Sequence, residues 1–201
     1  MEHPHRVVLL AGPSGSGKSY IAQRTGLPVL CLDDFYKDGD DPTLPRRHGQ
    51  VDWESPRSWD ADAAVETIAR LAREGKADVP VYAIGEDRKV ATRSFDLAGS
   101  PLFVAEGIFA AEIVEACRRP GMLAGAYALR RPRGATFLRR LARDLAEQRK
   151  APRLLLRRGV ALLRAEPAVL RRQTGLGAEA ARAGEVLRRV AGLLAGHPHR
   201  P

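Results

Sequence analysis

The stretch "GPSGSGKS", Gly12 to Ser19, decides how the rest of this chain is read. It matches the pattern G-x-x-x-x-G-K-[ST]. On one side stands the aliphatic run "RVVLLA" (Arg6–Ala11), and on the other residues 18–24, which read as a short helix. That strand–loop–helix context is what a phosphate-binding loop requires. Its glycines permit the backbone angles of a loop wound round a phosphate, with amide N–H groups pointing inward. The start of the following helix adds its positive dipole end. Lys18 is placed to reach the β- and γ-phosphates, and the Ser19 hydroxyl to complete the shell of a Mg²⁺ ion. Gly12, Pro13, Ser14, Gly15, Ser16, Gly17, Lys18, Ser19 and Tyr20 are the expected nucleotide-binding residues.

Outward from the loop, apolar and helical patterns alternate. Leu27 to Leu32 reads as a second buried strand, and Ser58 to Arg73 as a helix capped by Ser58 or Asp60 and ended by Gly75. Val79–Ile84 and Thr92–Leu97 flank "GEDRKV" as a hairpin. Pro101–Ala105 is a further buried strand, Phe109–Arg118 a helix and Ala126–Leu129 a short strand. Everything beyond Gly134 reads as helical, with a turn at Glu166–Pro167. No internal repeat or low-complexity linker divides the sequence. The expectation is one α/β domain over residues 1–201: a P-loop NTPase with a mostly parallel sheet flanked by helices, a small β-hairpin insertion and a helical lid at about 134–165.

Composition sets the outer bounds. With 201 residues, 44% apolar and 28% charged, the chain matches an ordinary soluble globule able to bury its own core. Cys31 and Cys117 have no paired or metal-ligand spacing and read as reduced, buried thiols. With no signal-peptide pattern and no membrane-length apolar run, a cytoplasmic protein with no membrane partner is expected. His3, His5, His48, His197 and His199 lie at the termini or in a polar loop and read as solvent-exposed. The formal charge of +9 is uneven: 15 Lys+Arg against 19 Asp+Glu up to Leu129, then 18 against 5 from Arg130. That basic end suits either a polyanionic ligand or solvated helix faces.

Two strands end in carboxylates. Asp33 and Asp34 follow one apolar run and Glu106 another, and in P-loop folds the nucleotide lies beyond the carboxyl ends of the parallel strands. All three acids can therefore converge near Ser19. Phosphoryl transfer needs one carboxylate to help hold Mg²⁺ and one to accept the proton of the attacking hydroxyl. A guanine-reading N-K-x-D segment and an ABC-type signature are absent, which favours a small kinase using Mg²⁺ with ATP.

Here the sequence resembles the uridine–cytidine kinases, within the wider group that includes phosphoribulokinase and bacterial pantothenate kinase. "DDFY" (Asp33–Tyr36) is similar to their D-S-F-Y block and "VAEGIF" (Val104–Phe109) to F-E-G-I-L. "VPVYAI" (Val79–Ile84) resembles V-P-x-Y-D, and "FLRRLARD" (Phe137–Asp144) the R-R-x-x-R-D run of the lid. The blocks keep their order from about Arg6 to Arg149. The resemblance implies Asp33 as catalytic base and magnesium neighbour, Glu106 as the second acid on the metal, and Asp34, where the family tolerates serine, as not the base. "WESPRSWD" (Trp53–Asp60) is similar to F-D-H-P-x-x-F-D, which sets Glu54, or Asp52 in a shifted register, on the hydroxyls of a ribose. Tyr82 would line the base pocket. Trp53 and Trp59 bracket that loop, either stacking on a base or anchoring the loop. Arg139 and Arg143 share a helix face and would close over the phosphates, with Arg140 beside them.

The pattern also departs from that family. Ala83 stands where it has an aspartate, and "GEDRK" (Gly85–Lys89) contains no histidine where one is expected. Both family residues help read a pyrimidine, so their loss counts against uridine itself, and the expected acceptor widens to a nucleoside or a similar small hydroxyl-bearing molecule. A vitamin or sugar kinase on the same scaffold is the nearest alternative. A nucleotide-gated protein with an RNA-contacting basic end is the more distant one, disfavoured because Phe137 is the only aromatic there. Apolar positions in the C-terminal helices suit either a core or a homo-oligomer interface.

Overall fold

The computed structural model describes residues 3–130 and 167–196. Strand β1 (Arg6–Ala11) leads through the glycine loop into helix α1 (Lys18–Gln23), then β2 (Val29–Cys31). A small hairpin, β3 (Arg46–Arg47) and β4 (Gln50–Val51), precedes helix α2 (Ala61–Glu74). The long hairpin of β5 (Lys76–Ala83) and β6 (Arg88–Asp96) follows, then β7 (Leu102–Gly107), α3 (Val114–Arg118) and β8 (Leu123–Leu129). A helix over 167–175 (α4), strand β9 (Glu179–Ala181) and helix α5 (Ala183–Ala195) complete the described chain.

Five strands form one sheet in the order β2-β7-β1-β8-β9, every pair parallel. Its central strands are apolar at successive positions because helices cover both faces. In β1 the alternation sorts the residues cleanly. Val7, Leu9 and Ala11 face one core with Ile68 and Leu71 of α2 and with Val114 of α3. Val8 and Leu10 face the other, with Ile21 and Ala22 of α1 and Val186 and Val190 of α5. A one-residue register slip would exchange the two sets, so packing fixes the register. That register puts Cys31, Leu10 and Glu106 side by side, so β1, β2 and β7 deliver their carboxyl ends to one edge.

Several boundaries differ from the sequence expectation. Asp60, not Ser58, caps α2 by accepting from the Ala63 amide at 3.0 Å. Ser58 is buried in a 3-10 turn, where its hydroxyl donates to the Ser55 carbonyl at 2.7 Å. Gly75 ends α2 in the left-handed conformation as expected. The hairpin strands are longer than their apolar runs, and Phe109–Arg118 divides into a 3-10 turn (Ala110–Ile113) and α3. Residues 179–181 were expected to be helical and are a strand. Ala and Glu have little β preference, but β8 offers an open edge, and pairing there overrides local propensity. Pro167 lies within α4 rather than in a turn. The lid expected at about 134–165 falls outside the described residues.

His5 is not solvent-exposed as expected: its Nδ1 lies 2.7 Å from the Ser100 carbonyl and its ring packs over Gly75. Cys117 is buried and Cys31 partly so, and both are free thiols. Among the described residues no helix is long and apolar enough to cross a membrane.

Candidate active site

The glycine loop owes its shape to backbone that only glycine adopts easily. Gly15 and Gly17 have φ of 76° and 83°. Gly12 sits so tightly that a Cβ there would lie 2.9 Å from Ser16 Oγ and 3.4 Å from Leu129 Cβ. Within the loop the Ser16 amide donates to the Pro13 carbonyl at 3.1 Å. Ser16 Oγ is buried with no hydrogen-bond partner among the described residues, a donor suited to an acceptor oxygen inside the loop. Lys18 is buried, its Nζ 3.4 Å from the Pro13 carbonyl. Tyr20 is 54% exposed, with the Arg24 guanidinium 5.8 Å from its ring centre.

Ser19 and Glu106 meet as anticipated: Ser19 Oγ donates to Glu106 Oε1 at 2.6 Å. Glu106 is only 6% exposed. Burial pushes its carboxyl above the usual range, and the Asp33 and Asp34 charges push it further; Lys18 and the Ser19 hydrogen bond pull it back. Asp33 sits on the 3-10 turn Leu32–Phe35 that continues β2. It lies against the end of β7, since a Cβ on Gly107 would stand 3.2 Å from Asp33 Oδ1. Its charge acts on Cys31, Tyr36 and Glu106 together, so the acids form one cluster. Among the described residues no side-chain hydrogen bond restrains the Asp33 carboxylate, whose lone pairs can accept further hydrogen bonds.

Asp34 does different work. Its Oδ1 accepts from the Tyr82 backbone amide at 3.3 Å, fastening the β5–β6 hairpin to the turn. Three further bonds secure the same seam. Tyr82 Oη donates to the Lys37 carbonyl at 3.2 Å, the Lys89 amide to Asp38 Oδ1 at 2.8 Å, and the Gly39 amide to the Asp87 carbonyl at 2.6 Å. The acids of "DDFYKDGDD" thus divide: Asp33 lies against the end of β7 beside Glu106, while Asp34 and Asp38 are clamps.

Beside Asp33 stands an aromatic wall. Tyr36 packs edge-on against Trp53 and Phe109 with centroids at 5.8 and 5.9 Å, and tilted against Tyr82 at 5.9 Å. Phe109 was not anticipated here; the apolar run after Glu106 was its only signal. The Tyr36 hydroxyl donates to the Trp53 carbonyl at 3.3 Å. Trp59 is a core anchor, its Nε1 donating to the Leu32 carbonyl at 2.7 Å, whereas Trp53 is half-buried against Tyr36. Glu54 is exposed near this wall; burial raises the Tyr36 hydroxyl most, and the charges of Asp33 and then Glu54 add to the rise. Asp52 is less available, because its carboxylate accepts from the Glu54 amide at 3.3 Å and pairs with Arg47 at 3.7 Å. Arg139, Arg140 and Arg143 lie outside the described residues.

The oxygens present suit Mg²⁺. A hydroxyl and a carboxylate, Ser19 and Glu106, already touch, with Asp33 adjacent. Among the described residues no cluster of three or more His, Cys, Asp or Glu side chains forms a metal cage. A magnesium ion held by one or two carboxylates plus phosphates needs none.

Over 113 residues the chain is 34% identical to the uridine kinase of Schizosaccharomyces pombe (strain 972 / ATCC 24843), a match that covers 52% of this chain and 25% of that protein. Over 110 residues it is 29% identical to inorganic pyrophosphatase TTM1 of Arabidopsis thaliana, covering 52% of this chain and 16% of the other. The chain thus spans a quarter or less of the length of these curated relatives. No family model matches it. Two solved structures superimpose over most of its length. One is a proposed fructose transport system kinase from Silicibacter sp. TM1040, with TM-score 0.60 and 19% identity over 88% of this chain and 89% of that one. The other is YFH7 from Saccharomyces cerevisiae, a proposed P-loop kinase with a circular permutation, with TM-score 0.62 and 11% identity over 90% and 93%. At such identities the likeness is one of fold. It is the P-loop α/β fold that these structures share.

Proposed function

We propose that the chain is an ATP-dependent, uridine kinase-like phosphotransferase. It would move the γ-phosphoryl group of ATP to a primary hydroxyl of a nucleoside or similar small molecule. One observation carries this reading: the Ser19–Glu106 hydrogen bond joins the phosphate loop to a strand end that Asp33 also touches. A nucleotide-gated sensor needs the loop but has no use for a carboxylate that, among the described residues, no side-chain hydrogen bond restrains.

In this reading the loop amides, Lys18 and the Ser16 hydroxyl hold the triphosphate and offset its charge. Ser19, Glu106 and Asp33 would hold Mg²⁺, which when bound draws charge from the phosphate oxygens and orients them. Asp33 accepts the proton of the acceptor hydroxyl as its oxygen forms a bond to the γ-phosphorus. The bond from that phosphorus to the β-bridging oxygen breaks, and ADP carries away the electron pair. The aromatic wall and Glu54 position the acceptor, so catalysis is largely orientation. Arg139 and Arg143 are proposed to cover the phosphates, and residues 1–201 to work as one domain.

The acceptor end offers shape more than hydrogen bonds. Tyr36 and Tyr82 both spend their hydroxyl protons on backbone carbonyls, and Ala83 brings no carboxylate. Stacking on the rings, with the hydroxyls of a sugar or polyol reaching Asp33 and Glu54, fits that wall. The likeness to a named uridine kinase supports a nucleoside acceptor, and the likeness to a named pyrophosphatase favours a second reading in which water is the acceptor. ADP release with Mg²⁺ and ATP, measured with uridine, cytidine, small sugars, pantothenate and no acceptor, separates them. A kinase shows turnover that rises with one acceptor class. Phosphate released equally in every arm, or from pyrophosphate alone, would instead indicate a hydrolase.

A further inference from the structure

Gln173 is 3% exposed, yet among the described residues only one of its two polar side-chain atoms has a hydrogen-bond partner. Nε2 donates to the Ile108 carbonyl at 3.1 Å, while Oε1 is buried with no partner among the described residues. A buried amide carbonyl without a donor is costly, and an apolar side chain of similar volume would fill the space without that penalty. Packing therefore gives no reason for glutamine here. What the amide supplies, and an apolar residue cannot, is a donor to Ile108.

Ile108 occupies a particular place. Two residues before it, Glu106 bonds Ser19; one before it, Gly107 passes Leu32 and Asp33 so closely that a Cβ would lie 2.8 Å from Leu32 Cβ. One residue after it, Phe109 supports Tyr36 and Trp59 at 5.9 Å each. A four-residue exit from β7 thus carries the metal-side acid, the seat of the base and the foot of the aromatic wall. The Gln173 amide grips its middle from 65 positions along the chain. Elsewhere α4 is held by Leu170, packed against the core, and at the surface by Arg172, whose guanidinium donates twice to Glu112 at 3.0 Å.

We propose that Gln173 is a positioning residue of the phosphoryl-transfer site, holding residues 106–109 so that Glu106 meets Ser19 and Asp33 faces the phosphate loop. This rests on the phosphotransferase reading above. Gln173 touches no substrate; it acts through the Ile108 carbonyl. Residues that orient a metal ligand or base typically matter about ten- to a hundredfold in affinity or rate.

The test compares Gln173→Met, which keeps the volume and loses the donor, with Arg172→Ala, which loosens the same helix at its surface. Two readouts are taken: turnover with the best acceptor, and ATP affinity with and without Mg²⁺. For Gln173→Met we expect kcat to fall about tenfold with KM for ATP within about twofold. We also expect the gain in ATP affinity on adding Mg²⁺ to shrink severalfold, while metal-free affinity stays unchanged. Arg172→Ala should leave all of these within about twofold even where its Tm falls as far. A Gln173→Met protein with lowered Tm but unaltered kcat and unaltered Mg²⁺ response would overturn the proposal. If that variant does not fold, Gln173→Asn, whose amide is one methylene short, is read by the same criteria. Should wild type transfer phosphate to no acceptor, the kinase reading fails alone, and the Mg²⁺ response of ATP binding still decides the role of Gln173.

Discussion

Ser19 Oγ and Glu106 Oε1 lie 2.6 Å apart, joined by a hydrogen bond that spans 87 positions of sequence. It welds the phosphate loop to the end of β7, and the parallel register of β1 with β7 makes it possible, because Leu10 pairs with Glu106 and Ala11 with Gly107. The carboxylate is nearly dry, and a buried charge is tolerated only where neighbours compensate it.

Glu106→Gln tests that tension. A carboxyl raised by burial binds its proton more tightly in the folded state. Folding therefore loses stability from this group as pH rises from the ordinary glutamate range through the raised value. Glutamine removes the loss and can still accept from Ser19. The metal-free variant should unfold at higher temperature than wild type near neutral pH, with the gap closing as pH falls, and its Mg²⁺-dependent turnover should collapse. A lower Tm at neutral pH would mean that Lys18 and Ser19 over-compensate the charge.

Asp34→Ala removes the clamp on the Tyr82 amide and leaves Asp33 in place. The β5–β6 hairpin carries one side of the aromatic wall, so the acceptor should bind less well. We expect KM for the acceptor to rise about tenfold with kcat changed far less. Steady-state kinetics at saturating ATP reads this directly, and a loss confined to kcat would place Asp34 in the chemistry.

Gly107→Ala inserts a methyl group 2.8 Å from Leu32 Cβ and 3.2 Å from Asp33 Oδ1, atoms of a turn with little room to move. Overpacking of this kind costs about 1–3 kcal/mol. Denaturant unfolding should show that loss together with reduced turnover. Wild-type stability would mean that the turn shifts freely.

Burial pushes the Cys31 and Cys117 thiols up to about 12, and for Cys31 the charges of Asp33, Asp34 and Glu106 add to the rise. Thiolate is the reactive form. Iodoacetamide at mildly alkaline pH should label neither residue in the native protein and both after unfolding. Rapid native labelling of Cys31 would contradict an acid cluster at the end of β2.

The parts legible in sequence were those whose signal is local. The loop from Gly12 to Ser19 needs glycines at fixed offsets, and β1 is a short apolar run, so both announce themselves. The Ser19–Glu106 meeting followed from strand-end logic plus a family resemblance. Asp34 and Asp38 were harder, since a clamp is defined by its partner and theirs are amides of the β5–β6 hairpin, at residues 82 and 89. Strand β9 was illegible because Glu179, Ala180 and Ala181 have no strand character without the edge of β8. Gln173 carried no signal at all: its meaning comes only from the Ile108 carbonyl it reaches.

The most direct test of the account is phosphoryl transfer from labelled ATP by wild type and by Asp33→Asn, with ATP affinity measured on the same preparations. Asparagine keeps the size of the side chain and cannot accept the proton. The account predicts labelled acceptor from wild type, a fall of about a hundredfold or more in kcat for the variant, and ATP affinity within a fewfold of wild type. Equal transfer by the two proteins would contradict it, because Asp33 would then not be the base.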